Sequence, residues 1–243
     1  MHHTCRLSVN INKIALLRNA RGGNNPDLLD MTRRIISYGA QGITLHPRPD
    51  ERHTRYADVP ALKAMLGEVE LNIEGYPDER WMDMVLKTRP AQATLVPDAP
   101  DALTSSAGWD TLTRAEELAR VLEPLKAAGI RTSLFIDADP KQAEGAARLG
   151  ADRVELYTGP YANHYASDRE KAIAPFITAA EAAKAAGLGI NAGHDLSLDN
   201  LNYLATQIPV MEEVSIGHAL ICDALTFGME NVVRMYLRQL SSV

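Results

Sequence analysis

The chain has 243 residues, a formal net charge of −6, 46% apolar residues and two cysteines. Its length fits one large α/β domain or two small ones. The acidic balance argues against a nucleic-acid partner, because such partners need a basic patch. We recognise neither a signal peptide nor a run of the roughly 18 apolar residues that a membrane span requires. We therefore expect a soluble, cytoplasmic protein without membrane partners or a disulfide framework.

Short apolar segments alternate with amphipathic ones along the chain. The predicted strands are residues 6–12, 42–47, 69–74, 92–97, 131–137, 152–158, 188–193 and 213–217. Helical spacing lies between them, most clearly over Leu28 to Tyr38, Trp81 to Lys87, Ala115 to Ala128 and Ile173 to Ala186. Strands separated by helices pair in parallel, and eight such units in about 250 residues indicate a (β/α)8 barrel.

The predicted fold class is thus α/β, a (β/α)8 TIM barrel, with residues 1–243 in a single domain. A doubly wound open sheet is the alternative, and the lack of a G-x-G-x-x-G motif after the first strand weighs against it. Glycines at four joints, Gly39, Gly129, Gly150 and Gly187, are expected to end helices in the left-handed conformation.

Titratable side chains end several of the predicted strands. The C-terminal strand ends of such a barrel form its active-site mouth. The side chains that we expect to converge there are Asn10, His46, Arg48, Glu74, His194 and His218. Histidine exchanges a proton near neutral pH, and a buried glutamate can act as a base. The cluster therefore predicts repeated proton transfers on a small carbonyl compound.

Arginines and glycines near the same strand ends indicate a phosphorylated substrate. The arginines of the loops after the first two strands are Arg18, Arg21, Arg48, Arg52 and Arg55. Guanidinium groups match phosphate oxygens with paired N–H donors. Gly193 and Gly217 follow the seventh and eighth strands, where barrels often bind phosphate with backbone N–H groups beside a short helix.

A metal site is a competing use of the same residues. Zinc or manganese could in principle be held by His46, Glu74, His194 and His218, completed by Asp137 and Glu155 on the fifth and sixth strands. The interior has no H-x-H or H-E-x-x-H spacing. From spacing alone, we prefer Asp137 and Glu155 as buried carboxylates paired with backbone or arginine. Lys13 is the lysine of the first strand that could form a Schiff base.

A series of motifs occurs in order over nearly the whole length. They are Val9–Ile11, Leu17–Gly22, Gly42–Arg48, Arg52-His53, Asn72–Glu74, Leu95–Pro97, Ser133–Asp137, Glu155–Gly159, Asn191–His194 and Ile216–His218. In these motifs the chain closely resembles the pyridoxine 5'-phosphate synthase family. The resemblance implies a (β/α)8 barrel, assembled as an octamer, that needs no metal or organic cofactor. It also implies condensation of 1-deoxy-D-xylulose 5-phosphate with 3-amino-2-oxopropyl phosphate, with release of phosphate and water.

The resemblance also implies residue roles. His46 and Glu74 correspond to proton acceptors, His194 to the proton donor and Glu155 to a glutamate that stabilises the transition state. The implied contacts of the aminoketone phosphate are Asn10, Arg21, Gly217 and His218. Those of the deoxyxylulose phosphate are Arg48, His53 and Thr104.

The chain departs from the family pattern at two places that are implied to contact substrate. Asn12-Lys13 stands where the family commonly has Asp-His, at a deoxyxylulose contact, and Asp195 stands where it usually has glycine, at an aminoketone contact. Two other functions stay open beside the synthase. One is a metal-dependent sugar-phosphate isomerase or hydrolase, and the other is a non-catalytic phosphosugar-binding barrel.

Overall fold

Eight parallel strands form a closed barrel in the computed structural model, which describes residues 5–98 and 106–241. The strands are β1 (Arg6–Asn10), β2 (Gly42–Leu45), β3 (Glu70–Gly75), β4 (Gln92–Leu95), β5 (Arg131–Ile136), β6 (Arg153–Tyr157), β7 (Gly189–Gly193) and β8 (Glu213–Ile216). Each strand pairs with the next, and β8 pairs with β1, so that Ser8 lies opposite Ser215. The predicted (β/α)8 barrel is confirmed.

Helices connect the strands and surround the barrel. They are α1 (Asn12–Asn19), α2 (Leu28–Ser37), α3 (Asp58–Leu66), α4 (Glu79–Thr88), α5 (Ala115–Ala127), α6 (Pro140–Arg148), α7 (Gly159–Tyr165), α8 (Arg169–Ala185), α9 (Leu201–Gln207), α10 (His218–Phe227) and α11 (Met229–Ser241). The four helices predicted from the sequence are present. The largest difference is in α8, which begins at Arg169 because the Asp168 carboxylate accepts a hydrogen bond from the Lys171 N–H and caps the helix.

Several strands end earlier than predicted, and the early end of the first strand changes the position of Lys13, a predicted site residue. Strand β1 stops at Asn10, and the side-chain oxygen of Asn10 accepts a hydrogen bond from the Asn12 N–H at 3.0 Å. The chain then turns into α1, so Lys13 lies on a helix and not on the first strand. Pro47 and Pro97 lie beyond the ends of β2 and β4, where a residue without an N–H cannot extend a ladder.

The glycines at the joints adopt the positive φ angles that were expected of them. Gly129, Gly150 and Gly187 have φ of 73°, 75° and 81°, which is the left-handed region, and Gly39 has φ of 113°. Each lets the chain leave a helix and enter the next strand without a steric cost. Among the described residues, no helix combines the length and the apolar character of a bilayer-crossing segment.

The apolar core lies between the sheet and the helices, whereas the barrel interior is polar. Alternate strand residues such as Leu7 and Leu45 face outward and are fully buried in the apolar core. Inside the barrel, the hydroxyls of Ser8 and Thr44 are hydrogen-bonded at 2.7 Å, and the Thr94 hydroxyl donates to Asn72 Oδ1 at 2.9 Å. Barrel interiors are more often filled with branched apolar residues. Here the buried polar groups depend on one another for hydrogen bonds.

Charged side chains close the N-terminal end of the barrel. The Glu70 carboxylate accepts from Arg6 Nη1 at 2.7 Å and is also paired with Arg131. Arg153 donates to Asn191 Oδ1 at 3.0 Å and pairs with Glu212. Burial opposes ionisation of Glu70, but its hydrogen bonds from the two arginines prevail and lower its pKa to about 2.

Replacing Glu70 with glutamine is expected to destabilise the protein at neutral pH by about 1–3 kcal/mol, less than for a fully buried pair because Glu70 keeps 24% of its side-chain surface exposed. The pKa of Glu70 is lower in the folded protein than its ordinary value of 4.5. Its stabilising contribution is therefore complete above pH 4.5 and declines as the pH falls toward about 2. Urea unfolding of both proteins at several pH values measures this difference.

The matched control is Asp83→Asn, which breaks the exposed pair between Lys87 Nζ and Asp83 Oδ2 on α4. We expect a change below about 0.5 kcal/mol for this variant. An equal loss in both variants would contradict the special role of Glu70.

Candidate active site

The barrel brings most of the predicted site residues to its C-terminal mouth. Asn10 ends β1, His46 follows β2, Glu74 lies near the end of β3, and His194 follows β7. Glu155 lies at the centre of β6, where its register partner on β7 is Asn191. The side chains of His46, Glu74 and Glu155 are all buried, so the mouth contains ionisable groups that have little contact with water.

Glu74 is held by its neighbours on both carboxylate oxygens. Asn10 Nδ2 donates to Oε2 and the Ser215 hydroxyl donates to Oε1, each at 3.4 Å. His46 Nδ1 lies 3.9 Å from Oε2. Burial raises the pKa of Glu74 to about 8, although the hydrogen bond from Ser215 opposes the shift. A carboxyl with this pKa can accept and return a proton near neutral pH.

Glu155 is the least satisfied acid of the site. It is 1% exposed, and neither carboxylate oxygen has a hydrogen-bond partner among the described residues. Burial and then the nearby charge of Glu74 raise its pKa well above the ordinary value. The expectation from spacing that Glu155 pairs with backbone or arginine is therefore wrong. A Cβ at Gly193 would lie 2.3 Å from Glu155 Oε1, so only glycine on β7 leaves room for this acid.

His46 is neutral in this environment. Burial lowers its pKa well below the ordinary value, and the positive charge of Arg48 adds to the shift. Its backbone N–H donates to Asn12 Oδ1 at 3.0 Å, which ties the end of β2 to α1. A neutral imidazole 3.9 Å from Glu74 can accept a proton.

His194 lies on a turn whose backbone is unusual. His194 and Asp195 have φ of 70° and 45°, in the left-handed region that non-glycine residues rarely adopt. The Thr158 hydroxyl stabilises this turn by donating to the carbonyl of Gly193 at 2.6 Å and to that of His194. Such conformations cluster at functional sites. The φ of Asp195 explains why glycine suits this position and why aspartate, which tolerates it, can replace glycine.

The His194 ring packs edge-on against Phe135, with ring centroids 4.9 Å apart, and against Tyr157 at 6.0 Å. Its Nδ1 atom is buried without a hydrogen-bond partner among the described residues. Burial lowers the pKa of His194, while the charge of Asp195 raises it. Anionic substrate beside the ring would further favour its protonated form.

The amide oxygen of Asn12 connects α1 to the loop that follows β2. Besides the His46 N–H, this oxygen accepts from the Thr54 hydroxyl at 2.9 Å. An aspartate could accept the same two bonds, so the departure to asparagine keeps the local geometry. Lys13, one residue further on α1, lies close enough for its charge to lower the pKa of His53. Lys13 therefore adds positive charge beside the predicted deoxyxylulose contacts.

Arg48 and His53 lie on the loop between β2 and α3. Arg48 Nη2 donates to Asp98 Oδ2 at 2.6 Å, and both side chains are 5% exposed. Burial, followed by the charges of Arg48 and Lys13, lowers the pKa of His53 to about 4. Asp98 was missed by sequence reasoning. Its position directly after the Leu95–Pro97 motif was the available signal, but its partner is 50 residues away.

The remaining predicted residues lie outside the buried group of His46, Glu74 and Glu155. Gly217 is the N-cap of α10 and His218 is the first residue of that helix, as predicted from the turn after β8. Arg21 is exposed beyond the end of α1, and Thr104 lies outside the described residues. Arg18 is not available for phosphate, since its Nη1 and Nη2 both donate to the Asp58 carboxylate and its Nε donates to Asn19 Oδ1. Asp137 is exposed and accepts from the Gly108 N–H at 3.1 Å, so its predicted burial is wrong.

The metal-binding alternative requires ligands that converge. Within residues 5–98 and 106–241, no group of three His, Cys, Asp or Glu side chains has an arrangement that could hold a metal ion. The six residues considered for such a site therefore do not form a ligand set in this part of the chain. The residues present suit proton transfer.

Comparison with known proteins identifies the family. The family model described as "Pyridoxal phosphate biosynthesis protein PdxJ" matches residues 7–242. The chain belongs to the PdxJ family. The pyridoxine 5'-phosphate synthase of Cytophaga hutchinsonii is 58% identical over 97% of this chain and 98% of its own length. The protein of the same name from Parabacteroides distasonis is 55% identical over 97% and 99%.

A solved structure of more distant sequence has the same fold. Tryptophan synthase from M. tuberculosis superimposes with a TM-score of 0.65 over 98% of this chain and 93% of that one. The two are 11% identical, so the likeness concerns the fold alone.

Replacing Glu155 with glutamine is expected to stabilise the protein increasingly as the pH rises. The unfolded carboxyl ionises near pH 4.5, whereas the folded one keeps its proton to higher pH. Above pH 4.5 the free energy of unfolding of the wild type therefore falls, by up to about 1.4 kcal/mol per pH unit. Glutamine resembles the protonated acid and does not titrate. Urea unfolding from about pH 5 to about pH 9 measures the growing difference.

Glu181→Gln on the exposed face of α8 is the control for the loss of one acid. A stability difference between Glu155→Gln and wild type that stays constant with pH would mean that Glu155 is ionised in the folded protein. That result would contradict the buried, neutral acid.

Proposed function

We propose that the chain is a pyridoxine 5'-phosphate synthase, which condenses 1-deoxy-D-xylulose 5-phosphate with 3-amino-2-oxopropyl phosphate and releases phosphate and water. The observation that carries the proposal is the buried group of Glu74, Glu155 and His46 at the mouth of a barrel of the PdxJ family. The enzyme is a transferase of vitamin B6 biosynthesis. Relatives at 58% and 55% identity bear the synthase name over nearly their full lengths.

The chemistry needs repeated proton transfer, and the site contains groups suited to it. An amine attacks a ketone, water and phosphate leave, and the ring closes and becomes aromatic. His46 accepts a proton as a neutral imidazole, and Glu74, with a pKa of about 8, accepts one in its ionised form. His194 donates a proton to a leaving oxygen. Glu155 stays protonated in its buried position and stabilises the transition state by donating a hydrogen bond.

The two phosphates are assigned to different sets of residues at the mouth. The deoxyxylulose phosphate contacts Arg48, His53, Thr104 and the Asn12-Lys13 pair. The aminoketone phosphate contacts Asn10, Arg21, Asp195, Gly217 and His218. The N-terminus of α10, which begins at His218, supplies backbone N–H groups to an anion there. Binding energy from these remote groups helps to position the reacting carbons.

Purified protein is expected to form pyridoxine 5'-phosphate from the two substrates, with or without a chelator, as followed by absorbance and mass. His194→Ala should lower the rate by about 10²–10⁴, because the proton donor is lost. His164→Ala on α7, an exposed histidine whose Nδ1 lies 2.8 Å from the Pro160 carbonyl, is the control and should keep wild-type activity.

The outcomes separate the functions. Product only without chelator would indicate a metal-dependent enzyme. Binding of the substrates without turnover by folded wild-type protein would support a phosphosugar-binding barrel. Retained synthesis in His194→Ala would remove the role assigned to that residue while leaving the function in place.

We propose that the enzyme is a cytoplasmic homo-oligomer, an octamer by family resemblance. Both cysteines are free, as suits a reducing compartment. The neighbouring helices α1 and α10 expose four large apolar side chains, Leu16, Leu17, Leu225 and Phe227. We call these four residues the α1/α10 surface. Exposed apolar groups of this kind favour contact with another chain, and the occupant that we assign is a second copy.

Replacing Leu225 with glutamate is expected to weaken the oligomer, because Leu225 is 80% exposed in the single chain and would place a charge in the contact. Light scattering coupled to size-exclusion chromatography measures the mass. Leu112→Glu, at an exposed leucine outside the α1/α10 surface, is the control. A monomeric wild type would refute the oligomer, and an unchanged mass of Leu225→Glu would refute this surface.

A further inference from the structure

A buried ion pair joins two loops of the barrel mouth. Arg48 follows β2 and Asp98 follows β4, and Arg48 Nη2 lies 2.6 Å from Asp98 Oδ2. Each side chain is 5% exposed. The two residues line one cleft together with His46, Tyr56 and Tyr76. The carboxylate of Asp98 thus reaches the surroundings of a proton acceptor.

Burying such a pair is costly. Removing two charges from water costs several kcal/mol per ion, and good geometry recovers only part of that cost. The same loop contains an exposed pair, Arg52 Nε with Asp50 Oδ2 at 2.7 Å, which stays in contact with water. An exposed ion pair could hold the loop without this desolvation cost, so the burial of Arg48 and Asp98 indicates a role beyond holding the loop.

Arg48 occupies an electrostatic centre of the site. After burial, its charge makes the largest contribution to lowering the pKa of both His46 and His53. It also lowers the pKa of Glu74 and of His194. The positive charge of Arg48 thus favours the deprotonated form of all four groups.

The geometry of the pair leaves one side of the guanidinium for substrate. Asp98 engages Nη2, and no other acceptor among residues 5–98 and 106–241 is hydrogen-bonded to Arg48. A guanidinium has five N–H donors in a rigid plane, so fixing one nitrogen fixes the directions of the rest. We propose that Asp98 is a positioning residue that aims Arg48 at the deoxyxylulose phosphate. This inference rests on the proposed function, because that function names the substrate.

The test is Asp98→Asn, which keeps the shape and removes the charge. Its dissociation constant and KM for 1-deoxy-D-xylulose 5-phosphate should rise about tenfold, equal to about 1.4 kcal/mol. The KM for 3-amino-2-oxopropyl phosphate should change less than about twofold. Asp98→Glu should recover most of the affinity. Asp50→Asn, which breaks the exposed pair of the same loop, is the matched control and should behave as wild type.

The pH profile adds a readout that loop stability alone would not move. The negative charge of Asp98 raises the pKa of Glu74 and of His194. Its loss should therefore shift the ionisation seen in the pH dependence of kcat/KM to lower pH.

The outcomes keep this inference apart from the proposed function. Calorimetric binding of deoxyxylulose phosphate needs no turnover, so it tests the role of Asp98 even if wild type makes no product. Equal affinity of Asp98→Asn and wild type, or equal changes in both KM values, would overturn the positioning role. Absence of product from folded wild type would overturn the proposed function instead.

Discussion

Closure of the barrel by pairing of β1 with β8 is the constraint on which the site depends. The register sets Ser8 opposite both Gly42 of β2 and Ser215 of β8. This closure brings the β8 residue Ser215 within hydrogen-bond distance of Glu74, 141 residues away in the chain. An open sheet in the same strand order would leave four strands between β3, which carries Glu74, and β8, which carries Ser215. The carboxylate of Glu74 has donors on both sides only because the ring is closed.

Desolvation then determines which groups hold protons. Glu74 and Glu155 are both buried, and each tends to be neutral because burial penalises the charged form. Burial acts in the opposite sense on His46, which loses its proton. The same physical cause thus produces neutral acids and neutral bases side by side. Neutral acids can donate a proton to the substrate and neutral bases can accept one from it, as ring formation through several proton transfers requires.

The shape of the mouth depends on a glycine that leaves space for a buried side chain and on polar residues that hold the loops by hydrogen bonds. Gly193 leaves the space that Glu155 occupies, and Thr158 holds the left-handed turn at His194. Asn12 fastens the loop after β2 through a single amide oxygen that accepts two hydrogen bonds. The chain can therefore differ from the family pattern at Asn12 without loss of this contact, because asparagine and aspartate present the same acceptor. The Asn12 departure gives no structural reason to favour the binding-only barrel.

The sequence by itself determined the barrel, since eight alternating units and glycines at the joints are local patterns. It also indicated His46, Glu74 and His194, because a strand that runs into a titratable residue places it at the mouth. Only the tertiary structure decided which polar groups meet there. Arg18 is paired with Asp58, whereas Arg48 is paired with Asp98, 50 residues away. Local periodicity carries no information on such distant partners, because the register and the closure of the sheet bring them together.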